Sequence, residues 1–381
     1  MPFTSLGLSP VLRNALKAAG YAEPTPIQRD TIPAVIAHRD VLGIAKTGSG
    51  KTASYVLPIL HQFQTATMAA PYREPTVLVL VPTRELADQV QQVFQTFIPA
   101  LSERLTCLAV SGGVSINPQM QAIGKVNILI ATPGRLLDLL AKNAVRLSSI
   151  TTLVLDEADK MLNLGFKEEM DQILALLPRQ RQNLLFSATL SADLQLIQQG
   201  ILHHPQVIEI AAETAGIDLI DQLAYLVAEE KKGPLLRYLI KHGDLKQVLV
   251  FASSTTKADS IVNKLLKNQI HAASIHSKLS QATRRETLQQ FKAGELRVLV
   301  ATDLLARGID IEFLPCVINY ELPRSPKDYL HRIGRTGRAE SPGRAISLVN
   351  PQEMAHFQLI QKKMAKRVKT LSGDTIDLQG Y

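Results

Sequence analysis

The sequence predicts an α/β chain of two successive units, each a mainly parallel β-sheet with helices on both faces. Length, apolar patterning and the placement of polar motifs predict it. The 381 residues exceed what one core holds and suit two domains of about 150–200 residues. Short apolar, β-branched runs recur at 76–81, 127–131, 152–155 and 183–186, and resume at 247–251, 297–301, 316–319 and 345–349. Each ends abruptly in polar residues before a longer helical pattern. Runs of four to six apolar residues fit strands buried on both faces, and their alternation with helices predicts a parallel sheet wound on both sides. The polar residues after the runs are Pro82-Thr83-Arg84, Thr132-Pro133-Gly134-Arg135, Asp156-Glu157, Ser187-Ala188-Thr189 and Thr302-Asp303. Open parallel sheets bind ligands at the carboxyl ends of their strands, so the motifs fall where a site belongs.

The stretch 208–221 separates the two series and holds an Ala/Glu/Thr/Gly segment without periodicity. The expected division is a first domain at 1–211, a linker at 212–217, a second domain at 218–352 and a short basic helix or tail at 353–381. Five Lys or Arg stand among residues 362–369 with no acid between them. They read as a solvated helix face or as an RNA contact.

Composition narrows the class. Hydrophobic residues make up 46% and charged residues 20%, an ordinary globular balance. No apolar run approaches the roughly 18 residues of a membrane span. The first 20 residues lack both a basic start and a continuous apolar stretch, so no signal peptide is expected. Cys107 and Cys316 each sit in an apolar, strand-like run and read as small buried hydrophobes rather than a disulfide or metal pair. A cytoplasmic setting is expected. The net charge of +8 fits a nucleic-acid partner or a solvated basic surface.

Ala45-Lys46-Thr47-Gly48-Ser49-Gly50-Lys51-Thr52 follows an apolar run at 40–44 and opens a helical pattern. This is a P-loop context, with Ala45 where the generic pattern starts on Gly. Glycines let backbone N–H groups turn toward phosphate oxygens, and the helix start adds its positive dipole end. Lys51 can reach the β- and γ-phosphates, and the Thr52 hydroxyl can hold Mg²⁺. Asp156-Glu157-Ala158-Asp159 ends another apolar run. Alone, this cluster could cap the next helix. Beside a P-loop, Asp156 is expected to hold Mg²⁺ and Glu157 to orient or deprotonate the attacking water.

In the second half, His331-Arg332-Ile333-Gly334-Arg335-Thr336-Gly337-Arg338 sets three arginines within seven residues. The segment reads as poor core material. Guanidinium forks match phosphate oxygens and can supply transition-state charge, worth about 10³–10⁵ in rate for an arginine finger. A nucleic-acid phosphate patch or a solvated loop is the other reading.

Taken together these residues resemble the DEAD-box RNA helicases over nearly the whole chain. Asp156-Glu157-Ala158-Asp159 is similar to that family's name motif, and Gly20-Tyr21 with Pro24-Thr25-Pro26-Ile27-Gln28 to its Q motif. The resemblance implies two tandem RecA-like domains and ATP rather than GTP. It implies that Phe3 stacks on adenine, that Tyr21 belongs to the adenine pocket and that Gln28 reads the base edge. It makes Pro82, Thr83, Arg84, Gly112, Gly113, Thr132, Pro133 and Arg135 RNA contacts of the first domain. In the second domain, Arg284, Thr302 and Asp303 face RNA and Asp310 approaches the ribose. Ser187, Thr189, Asp159, Arg307 and His331 couple ATP to RNA, and Arg335 and Arg338 act as arginine fingers.

With no Trp and 5% aromatics, base stacking is a weak candidate for the grip. Arg, Thr and glycine backbone suit phosphates and sugars, which carry no sequence information. RNA preference would then come from the 2′-OH. The expected mechanism is ATP-driven closure on one strand, local opening of a few base pairs, and reset by hydrolysis. Protein partners of an RNA-processing complex are a further expectation. An ATP-controlled RNA clamp with little unwinding and a DNA-directed translocase are the alternatives.

Overall fold

Leucine- and valine-rich runs form strands here because each buries both of its faces. The structure, a computed structural model, describes residues 2–46, 48–65, 74–102, 105–210, 220–243, 245–303, 314–336 and 343–381. The chain divides into two compact units, Met1–Ala212 and Glu213–Tyr381. The linker expected at 212–217 lies outside the described residues.

The first unit carries strands β1 (Val41–Ile44), β2 (Val77–Leu80), β3 (Cys107–Val110), β4 (Ile128–Ala131), β5 (Thr152–Leu155), β6 (Gln182–Ser187) and β7 (Gln206–Glu209). Their order is β3-β4-β2-β5-β6-β1-β7, and every neighbouring pair is parallel. Side chains alternate between two cores. Val77, Val79, Ile128, Ile130, Leu184 and Phe186 enter one apolar cluster. Leu78, Leu80, Leu129, Ala131 and Leu185 enter the other. Each buried Val or Leu contributes about 1.5–3 kcal/mol, so a strand apolar on both faces is worth roughly twice a half-buried one. Helices then cover both faces, as the fold class requires.

The second unit carries β8 (Ile220–Leu226), β9 (Val248–Ala252), β10 (Ala272–Ile275), β11 (Val298–Thr302), β12 (Cys316–Asn319), β13 (Gly343–Val349) and β14 (Lys369–Ser372). The order is β10-β11-β9-β12-β13-β8-β14, again parallel throughout. Counted from its own first strand, this repeats the order of the first sheet. Val248 and Val250 alternate with Leu249 and Phe251 between two cores in the same way.

Helices start at serine and threonine caps. Ser9, Thr83, Ser191, Ser254, Ser280 and Ser325 each accept a backbone N–H three residues on, worth about 1 kcal/mol per cap. The segment after 353, expected as a short basic helix or tail, holds a helix and one further strand. It forms helix Met354–Met364 and then β14, which pairs with β8. All four β14 residues are exposed, so no apolar run marks the strand. Cys107 and Cys316 are free thiols in β3 and β12.

Where the strands enter the first sheet, Asp40 ties three of them together. Its buried carboxylate accepts from Asn183 N at 2.7 Å, Asn183 Nδ2 at 3.2 Å and His203 N at 2.8 Å. Asp40→Ala strips these donors of their acceptor and should lower stability by about 2–4 kcal/mol. Urea unfolding measures it; an unchanged midpoint would show that the carboxylate holds nothing.

Candidate active site

The strand order sorts the polar loops of the first unit into two groups. β1, β6 and β5 are neighbours, so their carboxyl ends gather the glycine-rich loop, Ser187-Ala188-Thr189 and Asp156-Glu157. β2, β4 and β3 form the other half of the sheet and gather Pro82-Thr83-Arg84, Thr132-Pro133-Arg135 and Gly112-Gly113.

In the first group, Ala45 N donates to Ser187 O at 3.0 Å, continuing the β1–β6 ladder into the loop. The loop turns through Gly48 and Gly50, whose φ angles are 78° and 92°. Lys51 opens the helix Lys51–Thr65. Its buried ammonium donates to Ala45 O at 2.6 Å, folded back over the loop. Gln28 supports this loop: its Oε1 accepts from Thr25 N at 3.0 Å and its Nε2 donates to Gly50 O at 3.1 Å. A Cβ on Gly50 would collide with the Gln28 amide. Both polar ends of Gln28 are thus engaged with protein. Phe3 lies within the apolar core, and half-buried Tyr21 meets Phe97 edge-on at 5.7 Å.

Asp156 is 2% exposed. Its Oδ2 accepts from the Tyr55 phenol at 2.9 Å, and its Oδ1 is buried without a hydrogen bond. Burial pushes the Asp156 carboxyl up to about 6, against the pull of the Lys51 ammonium. Burial first, then the Asp156 charge, raises the Tyr55 phenol, while the Thr52 hydroxyl pulls the other way. The phenol is therefore a donor. A buried carboxylate oxygen without a hydrogen bond fits Mg²⁺, which takes oxygen ligands and binds through one or two carboxylates plus substrate phosphates. Glu157 stands at the N-cap position of the next helix with a left-handed backbone, φ 53°, and accepts from Lys160 Nζ at 2.7 Å. Asp159 accepts from Thr189 Oγ1 at 2.8 Å, and Thr189 N donates to Ser187 Oγ at 3.2 Å. A chain of bonds thus runs from β6 to the acidic loop.

The second group is cross-tied as well. Gly112 N donates to Thr132 Oγ1 at 3.4 Å, and Arg135 NH2 donates to Val114 O at 2.9 Å. Gly113 has φ 73°, and a Cβ there would strike the Arg84 guanidinium. Thr132, Pro133 and Arg135 are buried and shape the loops, whereas Gly113 is exposed and Thr83 and Arg84 are half-buried. Thr83 Oγ1 also caps the helix Arg84–Phe97.

In the second unit, Arg332 proves to be core material, contrary to the expectation for its segment. It is 2% exposed and forks onto Asp303 at 2.6 and 2.7 Å. It also donates to Asn319 Oδ1 and Glu321 O and lies 4.8 Å from the Phe251 ring centre. Such a fully bonded guanidinium is compatible with burial. The Asp303 carboxylate, expected at RNA, is held by this fork. Arg284 and Arg335 are buried, and Thr302 and His331 are half-buried. Thr47, Arg307, Asp310 and Arg338 lie outside the described residues.

Sequence reasoning missed Tyr55, Lys160 and the structural role of Arg332. Lys160, three residues past Glu157, was open to the helical i,i+3 rule. Tyr55 bonds across 101 residues and left no local signal.

The Asp156 shift sets a pH dependence. An unfolded Asp ionises near pH 4 and the folded one near 6, so stability falls as pH rises between them and stays lowered above. Two pKa units correspond to about 3 kcal/mol. In EDTA without nucleotide, Asp156→Asn should melt higher than the parent at pH 7.5, with the gap closing below pH 4. Equal melting at pH 7.5 would show that the carboxylate carries no such penalty.

Comparison with known proteins agrees with this geometry. Residues 25–197 match the DEAD/DEAH box helicase family, and residues 230–340 match the helicase conserved C-terminal domain. The ATP-dependent RNA helicase CshA of Listeria monocytogenes is 37% identical over 98% of this chain and 71% of its own length. The DEAD-box ATP-dependent RNA helicase CshA of Streptococcus pneumoniae is 40% identical over 99% of this chain and 71% of its own. The structure of S. cerevisiae Dbp5 bound to RNA and ADP BeF3 superposes with a TM-score of 0.83 at 29% identity, over 98% of this chain and 96% of that one. The two sheets are tandem RecA-like domains. With both units matched and relatives 37–40% identical over 98–99% of this chain, the chain belongs to the DEAD-box helicase family.

Proposed function

We propose that the chain is an ATP-dependent RNA helicase that couples ATP hydrolysis to gripping, locally opening and releasing RNA. One observation carries this reading. The carboxyl edge of the first sheet holds a phosphate loop on one half, where Asp159, Thr189 and Ser187 are bonded in a chain, and cross-tied basic and glycine loops on the other. Family membership supports it, and so do the RNA helicase names of the relatives.

Lys51 would leave the Ala45 carbonyl for the β- and γ-phosphates, a stronger charge-assisted partner. Gln28 and Tyr21 would take the adenine side, with Phe3 packed beneath. Asp156 and Thr52 would hold Mg²⁺, which when bound neutralises phosphate charge. Glu157 would orient the attacking water once its Lys160 contact yields. Arg335 and Arg338 would complete the reaction from the second unit, so hydrolysis would need groups from both. Asp310 at the ribose and Arg307 in coupling rest on the resemblance alone. A cytoplasmic setting is supported by two free thiols within apolar strands. Among the described residues, no helix is long and apolar enough to cross a membrane.

ATPase rates with single-stranded RNA and with DNA of equal length test the substrate class. RNA alone should stimulate turnover severalfold; equal stimulation by DNA would sink the RNA assignment. Glu157→Gln should keep ATP binding, slow hydrolysis by about 10²-fold or more and prolong RNA residence. Loss of ATP binding in that variant would make Glu157 a structural carboxylate.

A further inference from the structure

Tyr55 occupies a position that packing alone does not explain. It sits one helical turn past Lys51, on the same side of the helix Lys51–Thr65. Its ring is fully buried, 5.3 Å from the ring centre of Phe186. Phe186 lies against Gly43 of β1, where any Cβ would collide with its ring. Glycine in the strand therefore makes room for the phenylalanine that backs the tyrosine. A phenylalanine at 55 would fill the same apolar space. The hydroxyl is an added cost unless it is bonded, and it donates to Asp156 Oδ2 at 2.9 Å.

The terminal torsion of an aspartate is broad, so packing leaves the carboxylate free to turn. The phenol donor on Oδ2, together with the pull of the Glu157 backbone N–H, removes that freedom. The other oxygen, Oδ1, is then the one left buried and unbonded. The Thr52 side chain also interacts with the phenol, so Tyr55 touches both groups assigned to the divalent cation. Neighbours that orient a metal-holding carboxylate commonly change metal affinity by about 10–100-fold.

We propose that Tyr55 is a positioning residue for the cation site: its hydroxyl fixes the rotation of Asp156 so that Oδ1 is presented to the Mg²⁺ that accompanies the nucleotide. This rests on the reading of Asp156 as the metal-holding carboxylate. The phenol touches neither nucleotide nor reacting atoms, and its effect passes through Asp156.

Equilibrium titration of the full chain with a fluorescent ADP, in Mg²⁺ and in EDTA, tests it. The affinity ratio between the two conditions isolates the metal contribution from folding and from base binding. Tyr55→Phe should leave the EDTA affinity within about twofold and cut the gain from Mg²⁺ about tenfold. The half-saturating Mg²⁺ concentration should rise by the same factor. An unchanged gain would overturn the proposal and leave the hydroxyl a packing detail. Equal loss with and without Mg²⁺ would also overturn it, making Tyr55 a prop of the phosphate loop. Asp156→Asn is the control: it should abolish the gain. If that variant keeps the gain, the assignment of Asp156 fails, an outcome distinct from failure of the tyrosine alone.

Discussion

A strand that is apolar on both faces has no hydrophobic reason to prefer one register over the next, and this constraint shapes the first unit. Slipping β1 by one residue against β6 would exchange apolar side chains for apolar side chains. It would also carry Lys51 about 3.3 Å along the sheet, more than a phosphate contact tolerates. Polar anchors must set the register instead. Asp40 fixes the entering end through Asn183 and His203. Ala45 N on Ser187 O fixes the leaving end. Gly43, where a Cβ would collide with the Phe186 ring, adds a steric key in the middle. The phosphate loop is placed by these few contacts, while the large apolar area supplies stability without direction.

The same logic separates what could be read in the sequence from what could not. Central strands were legible because continuous burial leaves a continuous apolar run: the runs at 152–155 and 316–319 coincide with β5 and β12. The edge strands β7 and β14 were not. β14 is exposed at every residue and β7 buries one of its four, so neither carries a run. The phosphate loop and the acidic tetrad were legible because their chemistry is contiguous. The bonds that orient them are not contiguous. Tyr55 reaches Asp156, and Thr189 reaches Asp159, only after the sheet has ordered its strands. Arg332 shows the converse. Three arginines in one segment looked alike, and only the fold reveals that this one spends its donors on Asp303, Asn319 and Glu321.

The basic half of the first edge illustrates how glycine and arginine can be a single device. Arg84 approaches Gly113 closely enough that no side chain fits there, so the guanidinium plane and an exposed stretch of backbone share one surface. Gln119 adds rigidity, accepting from Ser111 N at 3.1 Å and donating to Ser111 O at 3.2 Å. Backbone N–H groups and a guanidinium fork are both phosphate and sugar ligands, and neither reads a base. A surface of this kind would hold a strand by its backbone, whatever the sequence.

The two units, alike in strand order, differ in what they do with the same lysine. A lysine opens the helix after the first strand in each: Lys51 in helix Lys51–Thr65 and Lys232 in helix Lys232–His242. Lys51 bonds a neutral carbonyl. Lys232 is fully buried between Glu229 at 3.1 Å and Glu353 at 3.0 Å. Moving Lys51 to a phosphate exchanges a neutral acceptor for a charged one, which favours release. Moving Lys232 would break both of its ion pairs around a fully buried ammonium, at a cost of several kcal/mol. The partner held at rest therefore decides the role. A cation on a neutral acceptor is poised for a ligand, and a cation between two anions is part of the scaffold. Strand order alone could not have distinguished them, since the fold places both at the same point.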